Sequence, residues 1–257
     1  MKLCRFELLS GEPGVRSGIV FSGKIYETDG AEARGMHEPQ DVRLLSPILP
    51  PAVRLFRSVN ENESENNLKF QYLNAGILAG PQTLISIPPG SGSLHLEAYL
   101  AVIAATDLLY ANEEQIENTI LGYSIFGLVV DDAAQRRNSA ASLDFGAFLG
   151  PVITTLDETE DRVLRTKDGD VPQYTVTIKV NQVEVSRGDT SSKLVPPATA
   201  ISTASQTAPV RSGDVMVLGP VARTSDSLPL GDQDELTITA EGLGAITIKL
   251  TLPSDEE

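Results

Sequence analysis

Residues 94–104 read LHLEAYLAVIA, an apolar run broken by His95, Glu97 and Tyr99. The run reads as a buried strand, and its period of two places those three residues on one face. Burying an unpaired carboxylate costs several kcal/mol, so Glu97 needs a reason to be there. It reads either as a general acid/base with a raised pKa or as a carboxylate satisfied by a neighbour. His95, Glu97 and Tyr99 together place three proton-transfer groups on one wall, as a catalytic set or as a satisfied polar patch.

Working outward from this run, FQYLNAGILAGPQTLISIPP (residues 70–89) reads as two short strands about a Gly-Pro turn. Downstream, NEEQIENTILGYSIFGL (112–128) has acids at its start and Ile116, Ile120 and Leu121 at helical spacing. That pattern predicts a helix ending near Gly122. YTVTIKVNQVEV (174–185), DVMVLGPVA (214–222), DELTITA (234–240) and AITIKLTL (245–252) alternate with period two. Gly213-Asp214 and Gly231-Asp232 serve as the turns before two of these runs. SKLVPPATAISTASQ (192–206) is ambiguous between helix and strand.

Near the start, KLCRFELL, RSGIVF and KIYET form a small β meander, and the periodicity disappears from Asp29 to Pro39. DVRLLSPILPPAVRLF (41–56) carries three prolines, which preclude a regular helix and suggest an extended connector. The resulting organisation is a small N-terminal β domain with its connector over residues 1–50 and a larger domain over 51–257. The fold class is α+β and β-dominated. NENESENN (60–67) is polar and acidic without apolar period, a solvated loop or lid.

The chain has 257 residues, 41% of them hydrophobic, enough for a substantial core, and a formal charge of −15. Such a surface repels phosphate backbones and anionic headgroups, so nucleic acid and membrane are not expected partners. The lone Cys4 excludes an intramolecular disulfide and fits a reducing compartment. MKLCRFELLSGEPG has no basic start followed by an apolar stretch, and the expected location is the cytoplasm. Motifs for phosphate loops, dinucleotide binding, zinc and serine nucleophiles are absent. His37 and His95 are the only histidines, so chemistry needing several of them is excluded.

DVRLLSPILPP (41–51), FQYLNAGILAGPQTLISIP, LHLEAYLAVI, GYSIFGLVVDDAAQ (122–135), LDFGAFLGPVITTLDE (143–158), VNQVEVSRGDTS (180–191), SGDVMVLG (212–219) and LGDQDELTITAEGLG (230–244) stand in register with one family. In these eight blocks, over roughly residues 41–250, the chain resembles the fumarylacetoacetate hydrolase family, particularly its members with a short N-terminal domain. The resemblance implies a mixed β-roll around a pocket, usually in a homodimer. It also implies a divalent ion on carboxylates that polarises a dicarbonyl or 2-oxo acid, and such ions need several oxygen ligands.

The family's Glu-x-Glu falls on Glu97-Ala98-Tyr99, and its third carboxylate falls on Leu128. The family's Ser-Ala-Arg-Asp falls on Val130, Asp131, Asp132 and Ala133. The lysine of its Lys-x-x-Asp falls on Ala141, with Asp144 retained, and its Gly-Thr reads Gly219-Pro220. No histidine occurs over residues 60–66, where the family keeps a catalytic one. The expectation is therefore a lost metal site and no cofactor. Asp131 and Asp132 read either as a displaced metal ligand or as a solvated charged loop.

By the same resemblance, Tyr72 and Asn74 read either as cavity-lining residues or as buried strand residues; Gln135, Asp144 and Thr190 are the further expected substrate contacts. The expected function is metal-independent acid/base chemistry with enolate stabilisation on a dicarbonyl or polyketide-like small molecule. Cyclase, isomerase, C–C hydrolase and decarboxylase reactions all belong to that class. Glu97 or His95 would move the proton while Tyr99 and Asn74 hold an enolate oxygen. The alternatives are a catalytically silent homologue that binds a small molecule or protein, and a conventional metal-dependent hydrolase.

Overall fold

The structure, a computed structural model, describes residues 1–30, 32–57, 68–137, 143, 145–167, 169–192 and 194–251. Residues 60–67, Ala141 and Asp144 lie outside the described residues, and of Gln135 only the backbone is described.

The N-terminal strands are β1 (Lys2–Leu8), β2 (Arg16–Phe21), β3 (Lys24–Asp29), β4 (Glu32–His37) and β5 (Val42–Leu44). They are followed by β6 (Val53–Arg57), β7 (Gln71–Leu73), β8 (Gln82–Ser86), β9 (Leu94–Ala104), β10 (Ile120–Asp131) and β11 (Ala147–Thr155). The C-terminal part adds β12 (Val163–Thr166), β13 (Gly169–Pro172), β14 (Thr175–Val180), β15 (Val183–Asp189), β16 (Val215–Arg223), β17 (Glu235–Ala240) and β18 (Gly244–Thr251). Three short helices intervene, α1 (Glu113–Ile116), α2 (Asp132–Arg137) and α3 (Pro197–Thr207).

An eleven-stranded sheet runs β4-β3-β2-β1-β11-β10-β9-β16-β6-β7, with β5 also on β1. A five-stranded sheet runs β15-β14-β17-β18-β8. The fold is β-dominated and mixed: β6 lies parallel to β16 and β8 parallel to β18, while the other named pairings are antiparallel. The N-terminal strands continue the large sheet through the β1–β11 pairing. Among the described residues no helix is long and apolar enough to cross a membrane.

Strand β9 is buried at all eleven positions, between β10 on one side and β16 on the other. Its even-numbered residues, Leu94 to Ala104, enter the core that also contains Ile238, Ile246, Ile248 and Leu250 of the smaller sheet. On the opposite face Tyr99, Ala101 and Ile103 pack with Phe126, Leu128, Val215 and Val217. Two buried faces explain why this strand reads as a nearly continuous apolar run. Gly127 permits the close sheet packing, because a Cβ there would stand 1.9 Å from Phe148 Cε2 and 2.7 Å from Ile238 Cδ1.

Three local readings change. The helix expected to reach Gly122 ends at Ile116, followed by a 3-10 turn through Thr119, and Ile120 already begins β10. Ile116 is buried as its spacing predicts, but Ile120 and Leu121 belong to a strand that pairs with β9 along its length. This long-range pairing overrides the local helical spacing. Residues 32–37 form the edge strand β4, mostly exposed, which is why no alternation marked it. The ambiguous 192–206 segment contains α3, with Pro197 in its first turn and Ala200, Ile201 and Ala204 buried.

Candidate functional site

The odd face of β9 changes character along its length: Ile103, Ala101 and Tyr99 are core, while Glu97 and His95 are polar. His95 and Glu97 are both 2% exposed, and Tyr99 is 1% exposed. The three residues expected to share a wall are in direct contact. His95 Nε2 lies 3.2 Å from Glu97 Oε1, and the Tyr99 hydroxyl donates to Glu97 Oε2.

Neighbouring elements add charges that the run itself does not contain. Arg57, at the end of β6, donates from Nη2 to Glu97 Oε2 at 2.8 Å and from Nη1 to Oε1 at 3.4 Å. Arg223 stands opposite Glu97 in the β9–β16 register, its Nε 3.7 Å from Oε1. Leu128 is the cross-strand partner of Glu97 on β10, so the same face carries a buried side chain without a donor atom. Gly219 lets β16 approach, since a Cβ there would lie 2.9 Å from Tyr99 Cδ1.

This surrounding set favours the second of the two readings of Glu97, a carboxylate satisfied by its neighbours. Burial pushes the carboxyl up, but the His95 hydrogen bond, the Arg57 charge and the Tyr99 hydrogen bond together outweigh it, leaving Glu97 below its ordinary value. Glu97 is an ionised acceptor at neutral pH and a poor general acid. Burial, followed by the Glu97 charge, drives Tyr99 far above the usual phenol value, so its hydroxyl keeps its proton. That proton is directed at Glu97.

The two aspartates after β10 divide their roles. Asp131 Oδ1 accepts from the backbone N–H groups of Gly92, Ala133 and Ala134, at 3.2, 2.8 and 3.1 Å. Burial raises its pKa, and those bonds more than reverse the effect. It caps the first turn of α2. Asp132 faces the cluster, its Oδ1 3.1 Å from His95 Nδ1 and 3.9 Å from Arg223 Nη2. Asp226 Oδ1 accepts a 2.6 Å contact from the same Arg223 nitrogen.

The other expected contacts lie in different surroundings. The Tyr72 ring is half exposed and sits under the Arg54 guanidinium, 5.2 Å from its centroid. Arg54 is itself bound to the buried Asp214 at 2.6 Å. Asn74 Oδ1 accepts from Gly76 N at 3.0 Å, capping a 3-10 turn. The buried Thr190 hydroxyl accepts from Tyr174 N at 2.8 Å and donates to Pro172 O. None of these contacts reaches Glu97. A cleft of about 1220 Å³ opens elsewhere, lined by Tyr123, Leu156, Thr159, Arg165, Lys167 and Pro197 among others, and none of the expected site residues among the described residues lines it. Concavity and buried charge thus mark different places. The charge cluster is the better site candidate, because ionised groups held out of water need a function or a partner.

Residues 51–251 match the family model described as fumarylacetoacetate (FAA) hydrolase C-terminal, and the chain belongs to the fumarylacetoacetate hydrolase family. An uncharacterized protein of Archaeoglobus fulgidus is 24% identical over 247 residues, covering 90% of this chain and 92% of that protein. Among solved structures, the 5-carboxymethyl-2-hydroxymuconate delta-isomerase of Mycobacterium smegmatis superposes with a TM-score of 0.80 at 22% identity, covering 98% of this chain and 100% of that one. The maleylpyruvate hydrolase of a Sphingobium species, solved with manganese(II) and pyruvate, gives 0.75 at 18% identity, covering 99% and 100%. The fold is shared with isomerases and hydrolases alike.

Arg57, Arg223 and Asp226 escaped the sequence reading. Arg57 and Arg223 each close an apolar strand run and look there like solvated strand ends. Their convergence on Glu97 depends on the β6–β16–β9 sheet order, which local spacing does not encode.

Proposed function

We propose that this chain is a fumarylacetoacetate hydrolase-fold enzyme acting on a dicarbonyl or polyketide-like small molecule, by acid/base chemistry and enolate stabilisation, without a divalent ion at the family's usual position. The reaction belongs to the cyclase, isomerase, C–C hydrolase or decarboxylase type. The observation that carries this reading is the set of donors on Glu97. The aligned positions offer one carboxylate, already engaged by a guanidinium, a phenol that holds its proton, and the side chain of Leu128. A hard divalent ion asks for several free oxygen ligands, and this donor set does not fit it.

The protein's own groups offer a different arrangement. Arg57 and Arg223 are partly exposed, at 32% and 38%, while Glu97 is buried. A carbonyl oxygen that gains negative charge would be met by these guanidinium groups, preorganised by the carboxylate. His95, hydrogen-bonded to Glu97, is the group that relays a proton. This assigns the enolate contact to the two arginines in place of Tyr99 and Asn74. The proposal includes a cytoplasmic homodimer that engages neither nucleic acid nor membrane.

A panel of β-dicarbonyl acids incubated with chelator-treated protein tests it. Turnover that is lost in Arg57→Ala supports the reading, and turnover that depends on restored Mg²⁺ or Mn²⁺ at Glu97 overturns it. The complete engagement of Glu97 favours one second reading, a silent homologue that binds such molecules. That reading predicts saturable binding with no product.

A further inference from the structure

We propose that His95, Asp132 and Asp226 form a binding site for a divalent transition-metal ion, beside the Glu97 position and distinct from it. One ligand atom from each of the three, a ring nitrogen of His95 and one oxygen of each carboxylate, lies within 4.8 Å of the others. The mixed imidazole and carboxylate set suits Zn²⁺, Mn²⁺ or Co²⁺ better than Mg²⁺ or Ca²⁺.

The imidazole supplies the decisive observation. Its Nε2 lies 3.2 Å from Glu97 Oε1, a carboxylate oxygen that accepts, so the ring hydrogen is assigned to Nε2. In the neutral tautomer that leaves Nδ1 with a lone pair and Asp132 Oδ1 3.1 Å away, off the axis of that lone pair. The pair is out of line for a hydrogen bond, and the buried Nδ1 has no hydrogen-bond partner among the described residues. A buried acceptor nitrogen this close to a carboxylate oxygen is satisfied by a cation that both coordinate. Ligands held at about 2.0–2.2 Å from a tetrahedral ion lie roughly 3.3–3.6 Å apart; His95 and Asp132 are 3.1 Å apart, and the three ligand atoms lie within 4.8 Å of one another. The Nε2–H to Glu97 bond completes a carboxylate–histidine–metal arrangement that fixes the tautomer and orients the ring.

Charge points the same way. Arg57 and Arg223 stand against Glu97, Asp132 and Asp226, so beside a neutral His95 two positive groups meet three negative ones. Arg223 now lies across the two aspartates, and its guanidinium is the group an incoming ion displaces. At 38% side-chain exposure on the last residue of β16, it can turn toward solvent. The bound ion holds His95 and turns Arg223 away, so the chemistry proposed above belongs to the ion-free protein. The inference therefore stands apart from the proposed function and does not need turnover.

The test strips the full-length protein with chelator and titrates it with Co²⁺, read by visible absorption, and with Zn²⁺, read by calorimetry. Near-stoichiometric binding is expected. Asp226→Asn, at an exposed position that the fold tolerates, weakens it by roughly tenfold or more, as does Asp132→Asn. No saturable binding overturns the proposal. Stoichiometric binding untouched by either aspartate variant overturns it too, and if Glu97→Gln abolishes that binding, the proposed function falls with it.

Discussion

Replacing Glu97 with Gln removes the charge that organises the cluster while keeping its shape and one acceptor oxygen. The buried donors of His95 and Tyr99 and the Arg57 guanidinium then compete for that oxygen. Hydrogen bonds to a charged group contribute about 1.5–3 kcal/mol each. Arg57 recovers part of its loss by turning its 32%-exposed side chain to water, so the net cost at neutral pH is about 2–4 kcal/mol. The pH dependence gives the sign. Glu97 is depressed in the folded state, so its contribution is complete above the unfolded value of about 4.3 and is lost as pH falls through the folded one. Urea denaturation of both proteins near pH 7 and near pH 3.5, on either side of the pI of about 4.5, checks this. The gap between wild type and variant should be widest near pH 7 and should narrow under acid. A variant equal to or more stable than wild type near pH 7 would refute the reasoning, because it is what a Glu97 destabilised by burial predicts.

Asp214→Asn strands Arg54, which is 2% exposed, and should cost about 3–5 kcal/mol in equilibrium unfolding. Restoring much of that stability with Arg54→Met and Asp214→Leu together would show that the pair is dispensable to the fold. Gly127→Ala drives a methyl into Phe148 and should destabilise by about 1–3 kcal/mol or more. Phe148→Leu in the same chain should recover part of the loss, measured by thermal melting. Leu100→Ala, in the centre of β9, should cost about 2–5 kcal/mol with no change in the Arg57-dependent chemistry.

Much of the sheet was legible because its strands carry period two or a long apolar run. The core strands β9, β14, β17 and β18 lie where those patterns place them. Edge strand β4 carries no such mark, since a strand wet on both faces has no alternation to read. The 112–122 segment misled because the same isoleucines satisfy a helical stripe and a strand that pairs with β9. The wall of His95, Glu97 and Tyr99 followed from alternation alone. The electrostatics did not follow, because burial of Glu97 is visible in its own strand while the charges that outweigh it arrive from β6 and β16. The division of labour between Asp131 and Asp132 was hidden for a related reason: adjacent residues diverge once the first caps α2.

The most direct measurement is turnover of the β-dicarbonyl panel with and without chelator, in wild-type protein and in Asp226→Asn. Product formation should survive chelation in both proteins. Activity abolished by chelator, restored by Mg²⁺ or Mn²⁺ and equally so in Asp226→Asn would contradict the account, because the working ion would then sit at Glu97.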